Sequence, residues 1–309
     1  MPIGFHEPRE IGLTVNESAR GRSLASWTRP QLRYYLHVPE RRSATDRVMV
    51  LVHGVSRNAE EQVELFQRFA DRYGVLLLAP VFDRETFTDY QRLGRKGAGQ
   101  RADLALIRVL NEVGTRTGWD TGRVDLFGFS GGAQFAHRFA FVHASRVRNV
   151  VLGAAGWYTM PDDSIPYPYG LGDVSGLEPS RLNATAAARL PMLVTVGEHD
   201  DRVDDENLNR SRIIDLTQGR HRLERAQRWV LAMNAYARSK NLERRVDIDV
   251  LPGIGHSFRQ AVVQGGLAER AFAHCYGAIE PDQRGGANAR IEGLGTAAHS
   301  RKPQGWCQQ

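Results

Sequence analysis

The amino-acid sequence predicts an α/β protein built on a largely parallel sheet. Strand-like and helix-like segments alternate along the chain after residue 30, which is typical of βαβ units. One strand-like segment, Val48–Val52, is apolar throughout, as expected of a strand that is covered on both faces. The chain has 309 residues, of which 41% are hydrophobic, and this is enough to bury one large core. We therefore expect a single domain over residues 1–278.

The strands are recognised as short apolar or alternating runs that end at turn residues. Pro80 is expected to end one of them, because proline cannot donate a hydrogen bond to a neighbouring strand. Val246–Leu251 alternates between apolar and acidic residues, which indicates a half-exposed strand at the edge of the sheet. The predicted strands are Arg33–Val38, Val48–Val52, Gly74–Pro80, the run from Val124 into Gly128, Asn149–Ala155, Pro191–Val196 and Val246–Leu251.

The helices are recognised by apolar residues at intervals of three and four. One helix carries an apolar stripe from Leu223 to Ala237 and an arginine-rich opposite face. We interpret that face as solvated rather than as a nucleic-acid contact, because charged helix faces are usually exposed. The predicted helices are Asn58–Tyr73, Gln100–Thr117, a helix that follows Ser130 and continues to about Val142, the helix with this stripe, and Phe258–Tyr276.

Three segments lack regular periodicity. Residues 81–99 are expected to form a loop over the top of the sheet. Residues 156–189 form an aromatic, turn-rich insert, and a loop of this length inside a domain is usually functional or mobile. Residues 279–309 are rich in Gly, Gln, Arg and Ala and are expected to form a poorly packed tail.

The most informative segment is Gly128-Phe-Ser130-Gly-Gly132, which lies between a predicted strand and a predicted helix. This is the G-x-S-x-G pattern of a nucleophile elbow in the context that it requires. The serine must sit on a tight, strained turn, so the positions two before and two after it have no room for a side chain. The pattern predicts Ser130 as a nucleophile at the start of a helix, whose free N–H groups favour negative charge.

A serine hydroxyl is a weak nucleophile at neutral pH, so a nucleophilic Ser130 requires a histidine base and a carboxylate that orients this base. Both are expected in loops at the carboxyl ends of later strands. Gly253-Ile-Gly-His256 offers His256, and Gly197-Glu-His-Asp200 offers Asp200, with Asp201 as the alternative acid. The acidic run that begins at Asp200 does not match a calcium-binding loop. His199 resembles a metal ligand, but the sequence has no second pair of ligands at metal-binding spacing. A metal site is therefore not predicted.

Backbone donors for an oxyanion are the remaining requirement. The N–H of Gly131 directly follows the nucleophile, and a second donor is expected from the loop after an early central strand. His53-Gly54-Val55 occupies that position, and Gly54 would let the Val55 N–H point inward. The competing interpretation is a plain glycine at a strand end. We expect His53 to pack behind this loop rather than to transfer protons.

These motifs, in this order, resemble the α/β-hydrolase superfamily over residues 30–276. Within it the chain is most similar to the single-domain serine esterases grouped with polyhydroxyalkanoate depolymerases, feruloyl esterases and dienelactone hydrolases. The resemblance implies an α/β-hydrolase fold with an eight-stranded, mostly parallel sheet and helices on both faces. It also implies hydrolysis of carboxylic esters through an acyl-enzyme, without a cofactor. Amide, thioester or carbon–carbon hydrolysis with the same residues, and a low-turnover binding protein, are the alternatives.

Aromatic residues near the elbow are the candidates for substrate binding. Trp157 and Tyr158 follow the strand after the elbow, and Phe87 and Tyr90 are weaker candidates for the opposite wall. An aromatic cleft suits aryl or hydroxyacyl esters, so a small or oligomeric ester is the expected substrate. The same aromatic rings could instead pack under the loop.

Composition argues against several other classes. The formal charge of +6 comes from residues dispersed along the chain, which does not favour a nucleic-acid partner. The two cysteines, Cys275 and Cys307, are too few for a disulfide framework, so a reducing cytoplasmic location is expected. We find neither a signal pattern nor an apolar run of roughly 18 residues, so a membrane partner is not expected. The sequence does not specify an oligomeric state.

Overall fold

The computed structural model of the protein describes residues 24–27, 29–174, 176–177, 180–243 and 246–278. These residues belong to one unit of the chain, which ends at Ala278. The tail predicted for residues 279–309 lies outside them. Among the described residues, no helix is both long and apolar enough to cross a membrane.

A single sheet of eight strands is the centre of the described fold. The strands are β1 (Leu24–Ala25), β2 (Arg33–His37), β3 (Val48–Val52), β4 (Leu76–Val81), β5 (Val124–Phe129), β6 (Val147–Gly153), β7 (Met192–Gly197) and β8 (Val246–Leu251). They lie in the order β1-β2-β4-β3-β5-β6-β7-β8. The pairings of β1 with β2 and of β2 with β4 are antiparallel, and all others are parallel. The predicted fold class is confirmed.

Helices cover both faces of this sheet. In β3, Met49 and Leu51 face one apolar cluster, with Phe66, whereas Val50 faces a second cluster, with Phe135. This alternation follows from the two-residue period of a strand and explains why β3 is buried throughout. The helices are α1 (Ala59–Tyr73), α2 (Ala102–Thr117), α3 (Gly131–His143), α4 (Ala184–Ala187), α5 (Arg212–Thr217), α6 (Arg222–Ser239), α7 (Phe258–Val263) and α8 (Leu267–Tyr276).

Two predicted boundaries are wrong. Pro80 does not end β4, because it pairs with Tyr34 of β2 while the pairing of β4 with β3 stops at Leu78. A strand with one unpaired edge at that point tolerates a proline. The helix predicted over Phe258–Tyr276 is two helices, α7 and α8, since Gly266 adopts a left-handed conformation with φ of 66° between them.

The arginine-rich face of α6 is also not simply solvated, as the sequence suggested. Arg222 and Arg225 are buried. Arg225 forms an ion pair with Asp215, and Arg222 forms ion pairs with Asp200 and Asp205. The segment before α6 supplies these carboxylates, so part of the charged face packs against that segment instead of water.

The parallel strands place the candidate site residues at one edge of the sheet. Because β3, β5, β7 and β8 run in the same direction, the loops that follow them share the edge at the carboxyl ends of the strands. Those loops carry Val55, Ser130, Asp200 and His256.

Candidate active site

The turn at Ser130 is strained and closely packed. Ser130 has φ of 54° and ψ of −112°, which L-residues rarely adopt. A Cβ on Gly128 would lie 2.3 Å from the Gly132 carbonyl, and a Cβ on Gly132 would lie 1.9 Å from the Val52 oxygen. Both positions therefore exclude any side chain, for the reason that the motif predicted. The Ser130 N–H is held by the Gly153 carbonyl at 2.7 Å.

Three side chains form one hydrogen-bonded row that starts at this serine. The Oγ of Ser130 lies 3.1 Å from Nε2 of His256, and Nδ1 of His256 lies 2.7 Å from Oδ2 of Asp200. Asp200 is buried, whereas Asp201 is exposed and makes no contact with the row. The His256 ring stacks on Phe129, with 5.5 Å between ring centroids. In this arrangement the imidazole can accept the serine proton while a carboxylate orients the ring.

The loops that carry the acid and the histidine are joined by backbone hydrogen bonds. The N–H of Glu198 donates to the Leu251 carbonyl at 2.9 Å, and the N–H of His199 donates to the Ile254 carbonyl at 2.8 Å. A Cβ on Gly197 would lie 2.1 Å from the Ile254 oxygen, so this approach requires glycine. Gly197 thus permits the close approach of the two loops that carry Asp200 and His256.

Arg222 of α6 is a member of the site that the sequence analysis missed. Its side chain is only 1% exposed, and its Nη1 lies 3.2 Å from Oδ1 of Asp200 and 2.9 Å from Oδ2 of Asp205. The hydrogen bond from Arg222 is the main reason that the pKa of Asp205 is lowered. Arg222 therefore neutralises and immobilises the buried Asp200 and links it to the loop of residues 201–209. No local pattern in the sequence links Arg222 to Asp200, since the two residues are 22 positions apart.

On the opposite side of Ser130 the loop after β3 lies against the elbow. A Cβ on Gly54 would lie 3.4 Å from both the Phe129 carbonyl and the Cβ of Ser130, and 3.9 Å from the Gly131 nitrogen. Among the described residues, the N–H groups of Val55 and Gly131 donate to no other group. The side chain of Val55 is part of the surface around the serine. Two unused donors therefore remain in the two segments predicted to bind an oxyanion.

His53 supports this loop from behind, as the sequence analysis expected. It is fully buried, its Nδ1 donates to the Gly54 carbonyl at 2.8 Å, and its Nε2 accepts from the Phe82 N–H at 2.9 Å. Burial lowers its pKa to about 4, so the ring is neutral at neutral pH. Tyr90 donates from its hydroxyl to the His53 carbonyl at 3.1 Å.

Two clefts meet at Ser130. One has a volume of about 360 Å³ and is lined by residues that include His256, Phe129, Phe258, Glu61 and Arg259. The other has a volume of about 270 Å³ and is lined by residues that include Gln91, Arg92, Gln134, Trp157 and Glu206. Val55, Ser130 and Asn207 line both. Within the described ranges, no group of His, Cys, Asp and Glu is arranged to hold a metal ion.

Of the four aromatic residues predicted to bind substrate, Trp157 is the one that lines either of the two clefts at Ser130. Tyr158, the next residue, points into the core and stacks on Trp229 of α6, with 4.8 Å between ring centroids. Phe87 and Tyr90 are also buried in the core. The binding role predicted for these three residues therefore has no support in their positions, since they pack beneath the loops that carry them.

An eight-stranded sheet of this order, with a strained serine turn between β5 and α3, is the α/β-hydrolase fold. No family model matches the chain, and no curated protein matches it. Among solved structures it is similar to poly(aspartic acid) hydrolase-1 from Sphingomonas sp. KT-1, with 25% identity and a TM-score of 0.69 over 81% of this chain and 96% of that one.

A second solved structure is similar over much of the chain. The chain is similar to LpqC, a poly(3-hydroxybutyrate) depolymerase from Bordetella parapertussis, with 27% identity and a TM-score of 0.66 over 82% of this chain and 86% of that one. An S-formylglutathione hydrolase from Agrobacterium tumefaciens shares the fold at 12% identity and a TM-score of 0.54, over 82% of this chain and 93% of that one. The likeness to the first two structures supports a hydrolase function, and the likeness to the third shows the shared fold.

Proposed function

We propose that the protein hydrolyses carboxylic esters through a serine acyl-enzyme. The observation that carries this proposal is the hydrogen-bonded row of Ser130, His256 and Asp200, with the two unused backbone donors opposite it. Such a row supplies a nucleophile, a base and an orienting carboxylate, and the donors supply stabilisation for a developing oxyanion. Together these are the components that acyl transfer requires.

In the proposed reaction, Ser130 Oγ attacks the ester carbonyl while His256 Nε2 takes the hydroxyl proton. The carbonyl oxygen becomes negative and accepts hydrogen bonds from the Val55 and Gly131 N–H groups. His256, held by Asp200, then returns the proton to the leaving alkoxide oxygen, and the ester C–O bond breaks. Water, deprotonated by His256, attacks the acyl-enzyme and releases the acid and Ser130.

The two clefts take different parts of the substrate in this mechanism. His256 must reach the leaving oxygen to protonate it, and His256 lines the cleft that also contains Phe129 and Arg259. We therefore assign the alcohol part of the ester to this cleft, which we call the alcohol cleft. The acyl part then extends into the cleft of Arg92, Gln134 and Trp157, which we call the acyl cleft.

Amide hydrolysis is the second candidate, and the comparisons favour considering it. One similar structure is a poly(aspartic acid) hydrolase, and another is a poly(3-hydroxybutyrate) depolymerase. The first name refers to a polyamide and the second to a polyester. Both reactions pass through the same tetrahedral oxyanion, so the row around Ser130 serves either. Matched ethyl ester and ethylamide substrates with one acyl group distinguish them, and we expect faster turnover of the ester.

Replacement of the nucleophile tests the proposal most directly. Ser130→Ala is expected to lower kcat for p-nitrophenyl acetate by roughly 10⁴-fold or more, since only the oxyanion donors and binding remain. Ser145→Ala is the matched control, because Ser145 is exposed just before β6 at the opposite edge of the sheet. A fluorophosphonate probe should label the wild-type protein at Ser130 and leave Ser130→Ala unlabelled. Near-normal activity of Ser130→Ala, or a folded wild-type protein that resists labelling, would contradict the proposal.

A further inference from the structure

Arg138 of α3 is a buried cation without a carboxylate partner among the described residues. Its side chain is 0% exposed. Its Nε donates to the Thr159 hydroxyl at 2.9 Å, and its Nη1 donates to the carbonyls of Gln91 and Gln134 at 2.7 and 3.0 Å. Nη2 is buried and has no hydrogen-bond partner. A buried charge is expensive unless an opposite charge is near, so this arrangement needs an explanation.

The contacts of Arg138 place it directly behind the acyl cleft. Its two carbonyl partners belong to residues that line that cleft, and its guanidinium lies 4.2 Å from the centroid of the Trp157 ring, which also lines it. Burial lowers the pKa of Arg138 to about 9, so the group still carries a positive charge at neutral pH. The positive charge is therefore separated from the cleft by a single layer of residues.

Two residues of the cleft wall also have unused polar atoms. Gln134 is 6% exposed, and its Oε1 is buried without a partner while its other amide atom lies next to Gly156. Arg92 has a buried Nε without a partner. The unused Nε–H of Arg92 is a donor, as recognition of an anion requires, whereas Gln134 can donate only from its amide nitrogen, because its Oε1 is an acceptor.

The charges around the cleft do not cancel. Arg92, which lines the cleft, shares the carboxylate of Asp89 with Arg95, at 3.1 and 2.8 Å. With Arg138 included, this group has three cations and one anion. Among the residues that line the cleft, the carboxylate is that of Glu206, which is exposed. The Arg92 wall therefore has a net positive charge that a bound anion would balance.

We propose that the acyl cleft binds an acyl group that carries a carboxylate, held by Arg92 and the amide nitrogen of Gln134 in front of Arg138. The preferred substrates are then mono-esters of short dicarboxylic acids. This proposal rests on the proposed function, because the position of the acyl group follows from the role of His256. Hydrogen bonds between a guanidinium and a carboxylate are among the stronger ones in proteins, so the charge should dominate selection at this cleft.

The test compares two esters that differ in charge alone. Monoethyl glutarate is an anion, and ethyl glutaramate is its neutral half-amide of nearly the same shape. We expect the wild-type protein to favour the anion by about tenfold or more in kcat/KM, mostly through KM. Arg92→Gln should reduce this ratio to near one, and Glu206→Gln should increase it, because it removes the opposing charge. Ethanol release measured by chromatography reports both reactions.

Arg148→Gln is the matched control, since it removes the same charge at the start of β6, at the opposite edge of the sheet. Its ratio should equal that of the wild-type protein. Circular dichroism and thermal unfolding show whether each variant is folded. Equal turnover of the two esters by the wild-type protein, or a ratio that Arg92→Gln leaves unchanged, would overturn the proposal.

A binding measurement separates this proposal from the proposed function. Calorimetry with Ser130→Ala should show tighter binding of glutaramate, which carries one carboxylate, than of glutaramide, the neutral diamide, and addition of Arg92→Gln should abolish the difference. Equal binding of the two would reject the carboxylate site, whatever the activity. If Ser130→Ala keeps esterase activity, the proposed nucleophile is wrong, while the binding comparison still tests the cleft.

Discussion

The two sides of Ser130 are built in different ways. On the amide side, formed by His53-Gly54-Val55 and Gly131, the site consists of backbone groups held by close packing. On the imidazole side, formed by His256, Asp200 and Arg222, it consists of side chains held by charge and hydrogen bonds. The first depends on the absence of Cβ atoms, and the second on the presence of particular charged groups.

This difference predicts how each side fails. A backbone donor is lost only on replacement by proline, so the amide side should tolerate most other substitutions that leave the fold intact. On the imidazole side, one polar substitution changes both the orientation of a ring and the balance of buried charge. The four variants below test that contrast, beginning with the largest expected effect.

Asp200→Asn should produce the largest loss on the imidazole side. The amide keeps the size of the side chain but favours the wrong tautomer of His256 and removes the charge that stabilises the imidazolium. We expect kcat to fall by roughly 10⁴-fold, with little change in fold. Steady-state kinetics with p-nitrophenyl acetate measures the loss.

Asp201→Asn is the control for this variant, since Asp201 is the neighbouring acid and is exposed. It should retain the wild-type rate. If Asp201→Asn instead shows the large loss and Asp200→Asn does not, the acid of the site is Asp201, and the orientation of His256 needs another account.

Val55→Pro should produce the largest loss on the amide side, because proline has no N–H to donate. We expect kcat to fall by roughly 10²- to 10³-fold, the range for loss of one oxyanion donor. Val55→Ala keeps the N–H and is the matched control, with a rate near that of the wild-type protein. Equal losses in both variants would mean that the side chain matters and that Val55 is not a donor.

The amide side could be predicted from sequence because its close packing requires glycine at fixed positions. Gly128 and Gly132 have no room for a Cβ, and Gly54 lies against Ser130. A steric requirement of this kind restricts the residue type at a fixed spacing, so a single sequence contains the evidence. The predicted positions of Asp200 and His256 rest in the same way on glycines that lie at or just after the ends of strands.

The imidazole side and the acyl cleft could be predicted only in part. Arg222 and Arg138 lie on helices whose polar positions suggest solvent exposure, but both are buried. Their partners come from loops distant in sequence, and no local pattern reports such a contact. For the same reason Tyr158 and Trp157, which are adjacent, could not be assigned to the core and to the cleft before the path of the loop was known.

The buried His53 makes the stability of the protein depend on pH. Its pKa is lowered to about 4, whereas an unfolded histidine has a pKa near 6.5. Between these values the unfolded chain binds the proton and the folded one does not, so stability falls as the pH drops from about 6.5 to about 4. The loss should approach about 3 kcal/mol at pH 4.

Urea unfolding at several pH values measures this effect, and His53→Gln removes it. His137 is also buried with a lowered pKa, so it too makes the free energy of unfolding fall at acid pH. The comparison with the variant isolates the part that is due to His53. The variant should show a shallower fall in stability between pH 6.5 and 4. Identical slopes would show that His53 does not control the acid sensitivity of the amide side.

Asp205→Asn should have the smallest effect of the four, because Arg222 keeps its contact with Asp200 and loses only the one with Asp205. The loop of residues 201–209 includes Asn207, which lines both clefts. Loosening of this loop should raise KM by roughly fivefold, or about 1 kcal/mol, and leave kcat nearly unchanged. Because the folded pKa of Asp205 is lowered, this contact stabilises the protein above the unfolded pKa and is lost as the pH falls through the folded value. Asp204→Asn, at an exposed acid, is the control. A fall in kcat comparable to that of Asp200→Asn would mean that Asp205 helps to orient the acid itself, and the imidazole side would then extend to the loop.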